Sequence, residues 1–258
     1  MKEFTVKSCN ATLRYHDLPG SGIPIVFIHG IGCTSSFDYP QVASMSGVSQ
    51  HRRIILDLLG SGFSDKPDDF DYTIASHASY IEELINTLGL NELVIFGHSM
   101  GGAVSIALAS RLESKLKALI VSEGNLDSGG GFFSQKIAMY SEEDYRAFGH
   151  SDIIQESLAT SNTEWATCLR MSSPNAVHRE ALSLIKGQNP SWRQTFYSLK
   201  TTKTYIFGSE TLPDPDYQEL KNNNINIGIV EQAGHSMAWE NPKGLAAAIM
   251  RAIPASSR

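Results

Sequence analysis

The sequence predicts an α/β fold built on a mostly parallel sheet flanked by helices, and three observations carry that prediction. Short apolar runs rich in Val, Ile and Phe recur along the chain, each closed by Gly, Asp or Glu. Segments with helical spacing lie between most of these runs, an alternation that buries a parallel sheet on both faces. One long segment, residues 125–192, contains no convincing strand and interrupts the rhythm.

The elements follow in order. "EFTVKS" and "ATLRYHD" alternate apolar with polar residues across a short polar turn, which suits an antiparallel start at the sheet edge. Asn10 opens an "NAT" sequon within that turn and reads as a turn residue. The runs "IPIVFIHG", "RRIILDLLG", "ELVIFGHS", "LKALIVSEG", "TKTYIFGS" and "INIGIVEQ" read as buried strands. "HASYIEELINTLGL" places Ile81, Leu84, Ile85 and Leu88 on one helical face, "AVSIALASRLES" forms a second helix, and a last helix begins near Pro242. Within 125–192, "EEDYRAF", "SDIIQESLA", "TEWATCLRM" and "NAVHREALSLIKG" read as helices with Ser or Asn as caps. The expected organisation is a core of residues 1–124 and 193–258 carrying a helical insertion at 125–192. Gly129 to Gly131 enter that insertion as a hinge or a plain connector.

Composition narrows the function classes. At 258 residues the chain can bury a core large enough to fold without covalent staples. Its three cysteines, Cys9, Cys33 and Cys168, are widely spaced without a CxxC pair, so neither a disulfide framework nor a zinc site is indicated. The N-terminal stretch lacks the apolar core of a signal peptide, and no segment approaches the length of a membrane span. A cytoplasmic, soluble protein is expected. The net charge of -6, with 21 scattered basic residues, gives no footprint for nucleic acid or an anionic membrane. A small-molecule substrate is the expected partner, and the oligomeric state is not readable.

The chemistry centres on "LVIFGHSMGGAVSIALA". Gly97-His98-Ser99-Met100-Gly101 fits G-x-S-x-G, in which a serine sits on a sharp strand-to-helix turn with its hydroxyl above the sheet. Side chains at positions 97 and 101 would collide in such a turn, and Gly102 and Ala103 let the following helix pack close. A serine needs a base to become a nucleophile. Among eight histidines, His235 follows the last strand in "IVEQAGHSMAWENP", a loop that can reach back over the sheet edge. His98 adjoins Ser99 but points differently, and His29 lies beside the glycines after the third strand; both read as supports.

The set "FIHGIGCTSS", "LDLLGSGFSDKP", "GHSMGG" and "EQAGHSMAWENP", from about Ile23 to the C-terminal helix, resembles the α/β-hydrolase superfamily, particularly its esterase-like and cap-bearing members. That resemblance implies an eight-stranded sheet, a Ser-acid-His triad in that chain order, and a cap over the active site, where 125–192 falls. It also implies an oxyanion hole in "HGIG", with the backbone N–H groups of Ile31 and Met100 as donors. "DLLGSGFSDKP" resembles the loop after the fourth strand, in which Asp57, Gly60, Gly62 and Ser64 organise a turn. Family members commonly place the acid a few residues after the seventh strand, but here Thr211 stands three past Gly208. Glu123, at the tip of the sixth strand, is the favoured acid, with Glu210, Asp214 and then Asp127 as alternatives. With Ser rather than Asp at 99, alkyl-enzyme chemistry is disfavoured and acyl transfer to water is expected. No metal-ligand motif or dinucleotide fingerprint is present, so no cofactor is implied.

The expected activity is therefore a serine hydrolase acting on a small carboxylic ester, thioester, lactone or diketone. The alternative is a capped-pocket receptor for a small ligand with vestigial turnover. Phe132, Phe133, Tyr140, Tyr145, Phe148 and Trp165 either face a substrate or form the insertion's own core. Cys33, close to the oxyanion loop, reads as a small buried residue rather than a reactive thiol.

Overall fold

A computed structural model describes residues 1–255. The apolar runs form eight strands: β1 (Lys2–Val6), β2 (Ala11–Leu18), β3 (Gly22–Ile28), β4 (His51–Asp57), β5 (Leu93–His98), β6 (Leu116–Ser122), β7 (Thr202–Gly208) and β8 (Asn226–Val230). They make one sheet in the order β1-β2-β4-β3-β5-β6-β7-β8. The β1–β2 and β2–β4 pairs are antiparallel, and every later pair is parallel. The turn between β1 and β2 holds Asn10 with φ 52, a left-handed conformation that Asn tolerates.

Strand pleating sends successive side chains to opposite faces, and both faces here are covered. Val26, Ile28, Ile54 and Ile95 point to one core, shared with helix Ile74–Thr87 and helix Met100–Leu112. Ile25, Phe27, Val94 and Phe96 point to the other, beneath helix Pro242–Ala252. Ile81, Leu84 and Ile85 are buried on the first helix as its spacing predicts, whereas Leu88 is its partly buried C-cap. Truncating one such buried Leu to Ala costs about 2–5 kcal/mol, so the sheet is held rigidly under the site.

Between β6 and β7 the chain is helical: Phe132–Ile137, His150–Ala159, Thr163–Arg170, Pro174–Lys186 and Trp192–Ser198 are the main helices. The first and last of these lie outside the helices that the sequence spacing predicts. Phe132–Ile137 is short and begins with Gly131, whose N–H is capped by Ser134 Oγ at 2.7 Å. Trp192–Ser198 starts from a capping box between Ser191 and Gln194 that sequence spacing alone left unread. The Gly129 N–H donates to the Ile185 carbonyl at 2.9 Å, tying the glycine run to helix Pro174–Lys186.

Several polar contacts dock this helical layer onto the core, two of them from helix Pro174–Lys186. Arg179 donates to the Phe70 carbonyl at 2.7 Å and bridges to Glu142. His77, on helix Ile74–Thr87, meets Glu180 Oε1 at 3.1 Å with both side chains fully buried.

Candidate active site

Ser99 occupies the junction between β5 and helix Met100–Leu112 with φ 53 and ψ -122, a strained conformation for a residue bearing a side chain. Its N–H donates to the Ser122 carbonyl at 2.9 Å, and its own carbonyl accepts from Gly102 at 2.8 Å. The flanking glycines are sterically required. A Cβ on Gly97 would lie 2.0 Å from Ser105 Oγ, and one on Gly101 would lie 2.4 Å from the Ile28 carbonyl oxygen.

The turn after β3 passes directly beside this serine. A Cβ on Gly30 would stand 3.1 Å from Ser99 Cβ. Among the described residues the Ile31 N–H donates to no protein acceptor. Met100 opens its helix, where an N–H has no intrahelical acceptor. The Ile31 carbonyl, meanwhile, accepts the indole N–H of Trp165 at 2.9 Å, which clamps the turn from the helical layer above. Beneath it, the fully buried His29 accepts from the Leu58 N–H at Nε2, 3.0 Å, leaving its Nδ1–H to the Gly30 carbonyl. Burial drives its pKa down to about 4 against the pull of Asp57, so this imidazole is neutral. Asp57 in turn accepts from the Ser36 and Phe63 N–H groups at 2.8 and 3.1 Å, and a Cβ on Gly62 would fall 2.3 Å from its Oδ2.

The sequence-derived acid and base come together. Glu123 lies just past β6 with φ 46, pinned by its N–H to the Ile206 carbonyl at 3.1 Å. Its Oε1 accepts from the Gly208 N–H at 2.8 Å and from the Thr211 hydroxyl at 2.6 Å. Its Oε2 faces His235 Nδ1 at 4.0 Å, slightly beyond a direct hydrogen bond. Burial opposes ionisation of this carboxyl, but His235, the Thr211 hydroxyl and the Gly208 amide together prevail, and its pKa falls below the ordinary value. His98 lies 4.7 Å, ring to ring, from His235 and bonds Ser122 Oγ at 3.0 Å. Burial first, and His235 second, keep His98 neutral.

The other carboxylates lie apart from this pair. Glu210 is exposed, with its backbone N–H on the Ala233 carbonyl. Asp214 accepts from the Asp216 N–H at 2.7 Å, and Asp127 is paired with Arg193 at 2.6 Å. The sequence marks Thr211 only as the residue standing where an Asp is common, and Trp165 only as an aromatic that either faces a substrate or packs within the insertion. Neither contact has a local sequence signal, because each joins elements distant in the chain.

Ser99, Glu123 and His235 share one cavity of about 830 Å³, roofed by Phe132, Phe133 and Trp165 from the helical layer. Phe133 and Trp165 stack with ring centroids 4.1 Å apart, so these aromatics both build the layer and line the cavity. Cys33 also lines it, half-buried, with its thiol pushed well up by burial and by Asp38. The four ionisable carboxyl groups in the lining are Asp38, Glu123, Glu164 and Glu240, and no Lys or Arg is among the described lining residues.

Comparison with known proteins places the chain in a family. The chain is 30% identical over 156 residues to 2-hydroxy-6-oxo-2,4-heptadienoate hydrolase of Pseudomonas putida, covering 56% of this chain and 55% of that protein. It is 35% identical over 139 residues to the mesoderm-specific transcript homolog protein of Bos taurus, covering 52% and 41%. The chain thus matches about half the length of these curated relatives or less. An esterase structure from Thermogutta terrifontis superposes with a TM-score of 0.79 at 20% identity, covering 97% of this chain and 96% of that one. The enol-lactonase of Burkholderia xenovorans LB400 superposes with a TM-score of 0.79 at 19% identity, covering 97% and 99%. No described helix is long and apolar enough to cross a membrane. The family model for the alpha/beta hydrolase fold matches residues 23–206, from β3 to the middle of β7, and the chain belongs to that family.

Proposed function

We propose that this chain is a serine hydrolase that cleaves a small carboxylic ester or lactone through an acyl-enzyme, with Ser99, His235 and Glu123 as its triad. The observation that carries this reading is the Glu123 carboxylate, fixed by Gly208 and Thr211 and facing His235 Nδ1 in the cavity that holds Ser99. A carboxylate buried to this degree is costly unless it has partners, and here those partners leave its second oxygen aimed at an imidazole. The 4.0 Å gap is of the kind that tightens when substrate orders the loop.

In the proposed course, His235 Nε2 accepts the Ser99 hydroxyl proton as Oγ attacks the carbonyl carbon. The N–H groups of Ile31 and Met100 receive the negative oxygen, and fixed backbone donors need no reorganisation at that moment. The tetrahedral intermediate collapses as His235 returns the proton to the leaving alcohol. Water, deprotonated by the same imidazole, then cleaves the acyl-enzyme and regenerates Ser99. Glu123 holds the His235 tautomer and stabilises the imidazolium.

The helical segment 125–192 acts as the cap. One named relative hydrolyses a dienoate, a substrate with a free carboxylate. The described lining offers no Lys or Arg to receive such a group, which favours an ester or lactone without one. All three cysteines are free, in keeping with the cytoplasmic setting we infer.

Intact-mass spectrometry after treatment with a fluorophosphonate tests the reading, alongside turnover of p-nitrophenyl esters. A single adduct on the wild type, absent from Ser99→Ala and slowed in Glu123→Gln, is the expected result. Equal hydrolysis by wild type and Ser99→Ala would remove Ser99 from the chemistry. A folded protein that binds esters without an adduct or turnover would instead be a capped receptor.

A further inference from the structure

Asp38 has no part in the chemistry above, yet its side chain lines the same cavity. It ends the short helix Ser35–Asp38 that follows the oxyanion turn, and only 7% of it is exposed. Its Oδ1 accepts the indole N–H of Trp239 at 3.0 Å and the thiol of Cys168 at 3.7 Å. No N–H or O–H group of the described residues donates to Oδ2, and the only further hydrogen-bonding neighbour of the carboxyl among them is the Cys33 thiol, a weak neutral donor. The nearby titratable groups are Cys33 and Tyr39 on its own segment, Cys168 from the cap helix and Asp57 at the end of β4, none of them a cation. A buried carboxylate with one oxygen bonded only by neutral groups and the other without a strong donor is an unfinished ion pair.

The rest of the cavity fits the missing partner. Trp165 and Trp239 line it together with Asp38, and aromatic faces attract a desolvated cation. Glu164 and Glu240 add negative charge, while Lys and Arg are absent from the described lining.

We propose that Asp38 determines specificity by anchoring a protonated amine of the substrate, so that this hydrolase prefers esters carrying an ammonium group. The inference rests on the acyl-transfer reading and narrows its substrate. Burial pushes the Asp38 carboxyl up to about 6, with Trp239, Cys168 and Cys33 pulling the other way, so it is ionised at neutral pH and neutral in mild acid.

The test compares p-nitrophenyl 6-aminohexanoate with p-nitrophenyl heptanoate, in which a methyl replaces the ammonium, and with the 6-hydroxyhexanoate. A second pair, S-(2-dimethylaminoethyl) thioacetate and S-(3-methylbutyl) thioacetate, places the protonated amine on the leaving group. A charge-assisted hydrogen bond is worth about tenfold or more in affinity, so kcat/KM for one charged ester should exceed that of its neutral partners by about that factor. Asp38→Asn should bring the ratio close to one. No preference for charge in either pair, an equal preference for the hydroxyl, or a preference undiminished in Asp38→Asn overturns the proposal. If that variant does not fold, the wild-type ratio decides: it should fall as the pH drops through about 6, and a flat ratio overturns the proposal. Titration of groups shared by both esters cancels in this ratio. If neither ester is turned over, the serine-hydrolase reading fails and calorimetry with n-pentylammonium decides this one separately. Binding in preference to 1-pentanol supports the anchor, and its absence overturns it.

Discussion

Thr211 donates its hydroxyl to Glu123 Oε1 across 2.6 Å, tying the turn after β7 to the tip of β6. The contact brings together the two places in the chain from which a triad acid could come. Glu123→Gln removes the charge and presents an amide to His235, and kcat should fall by about three to four orders of magnitude with the fold intact. Adding Thr211→Asp to that variant supplies a carboxylate from the neighbouring position and should recover activity by more than about tenfold. Steady-state kinetics on the single and double variants check both outcomes, and no recovery would mean that position 211 cannot reach His235.

The same carboxyl predicts a pH effect on stability. Its native pKa lies below the ordinary value, so its stabilising contribution is present above the unfolded pKa of about 4.3 and is lost as the pH falls through the native value. Urea denaturation at neutral pH and near pH 3 should therefore show a smaller acid-induced loss in Glu123→Gln than in wild type. An equal loss would place the linkage elsewhere.

Trp165 is expected to act on the turn after β3, the proposed oxyanion loop, through its hydrogen bond to the Ile31 carbonyl. Trp165→Phe keeps an aromatic ring against Phe133 but leaves that carbonyl without its donor. A buried hydrogen bond of this kind is worth about 1 kcal/mol, so kcat should fall by about fivefold. If the turn is the cause, KM changes less than kcat. A rise in KM alone would assign the indole to substrate packing instead.

These contacts also mark where the sequence stops being legible. Ser99 and its glycines could be read because the clashes they avoid are with residues a few positions away or with an adjacent strand. The helical insertion was legible because its segments repeat with helical spacing. Neither the β4-before-β3 strand order nor the Thr211 contact leaves a local trace, since both depend on how distant segments cross. Asp38 was invisible for a related reason: its partners Cys168 and Trp239 lie 130 and 201 residues away. Glu180 did leave a signal. It shares a helical face with buried Val177 and Leu184, where a solvated charge would be out of place.

The elbow itself gives a stability prediction. Gly101→Ala forces a Cβ to within 2.4 Å of the Ile28 carbonyl oxygen and 2.5 Å of the His29 one, and neither backbone group can move without disturbing β3. Strain of this kind costs on the order of 2–4 kcal/mol, lowering Tm by about 5–15 °C in a domain of this size. Calorimetry on the purified variant gives the value, and an unchanged Tm would show that the strand and helix can separate without cost.

Glu180 and His77 join the cap to the core through a contact from which water is excluded on both sides. His77 Nδ1 also bonds the Tyr80 hydroxyl at 2.6 Å, and that hydroxyl accepts the Leu59 N–H at 3.1 Å, so one chain of bonds runs from the cap helix to the loop after β4. Burial raises the Glu180 pKa while His77 opposes the rise, and Glu180 Oε2 has no partner of its own. Removing one member of such a pair strands the other in an apolar setting, at a cost of about 3–5 kcal/mol. Glu180→Ala should therefore unfold at markedly lower urea, whereas Glu180→Gln retains an acceptor for His77 and should lose about half as much. Hydrogen exchange should locate the damage. Faster exchange confined to helices Pro174–Lys186 and Ile74–Thr87 would show that the pair holds the cap down, and a uniform increase would show that it serves the whole fold.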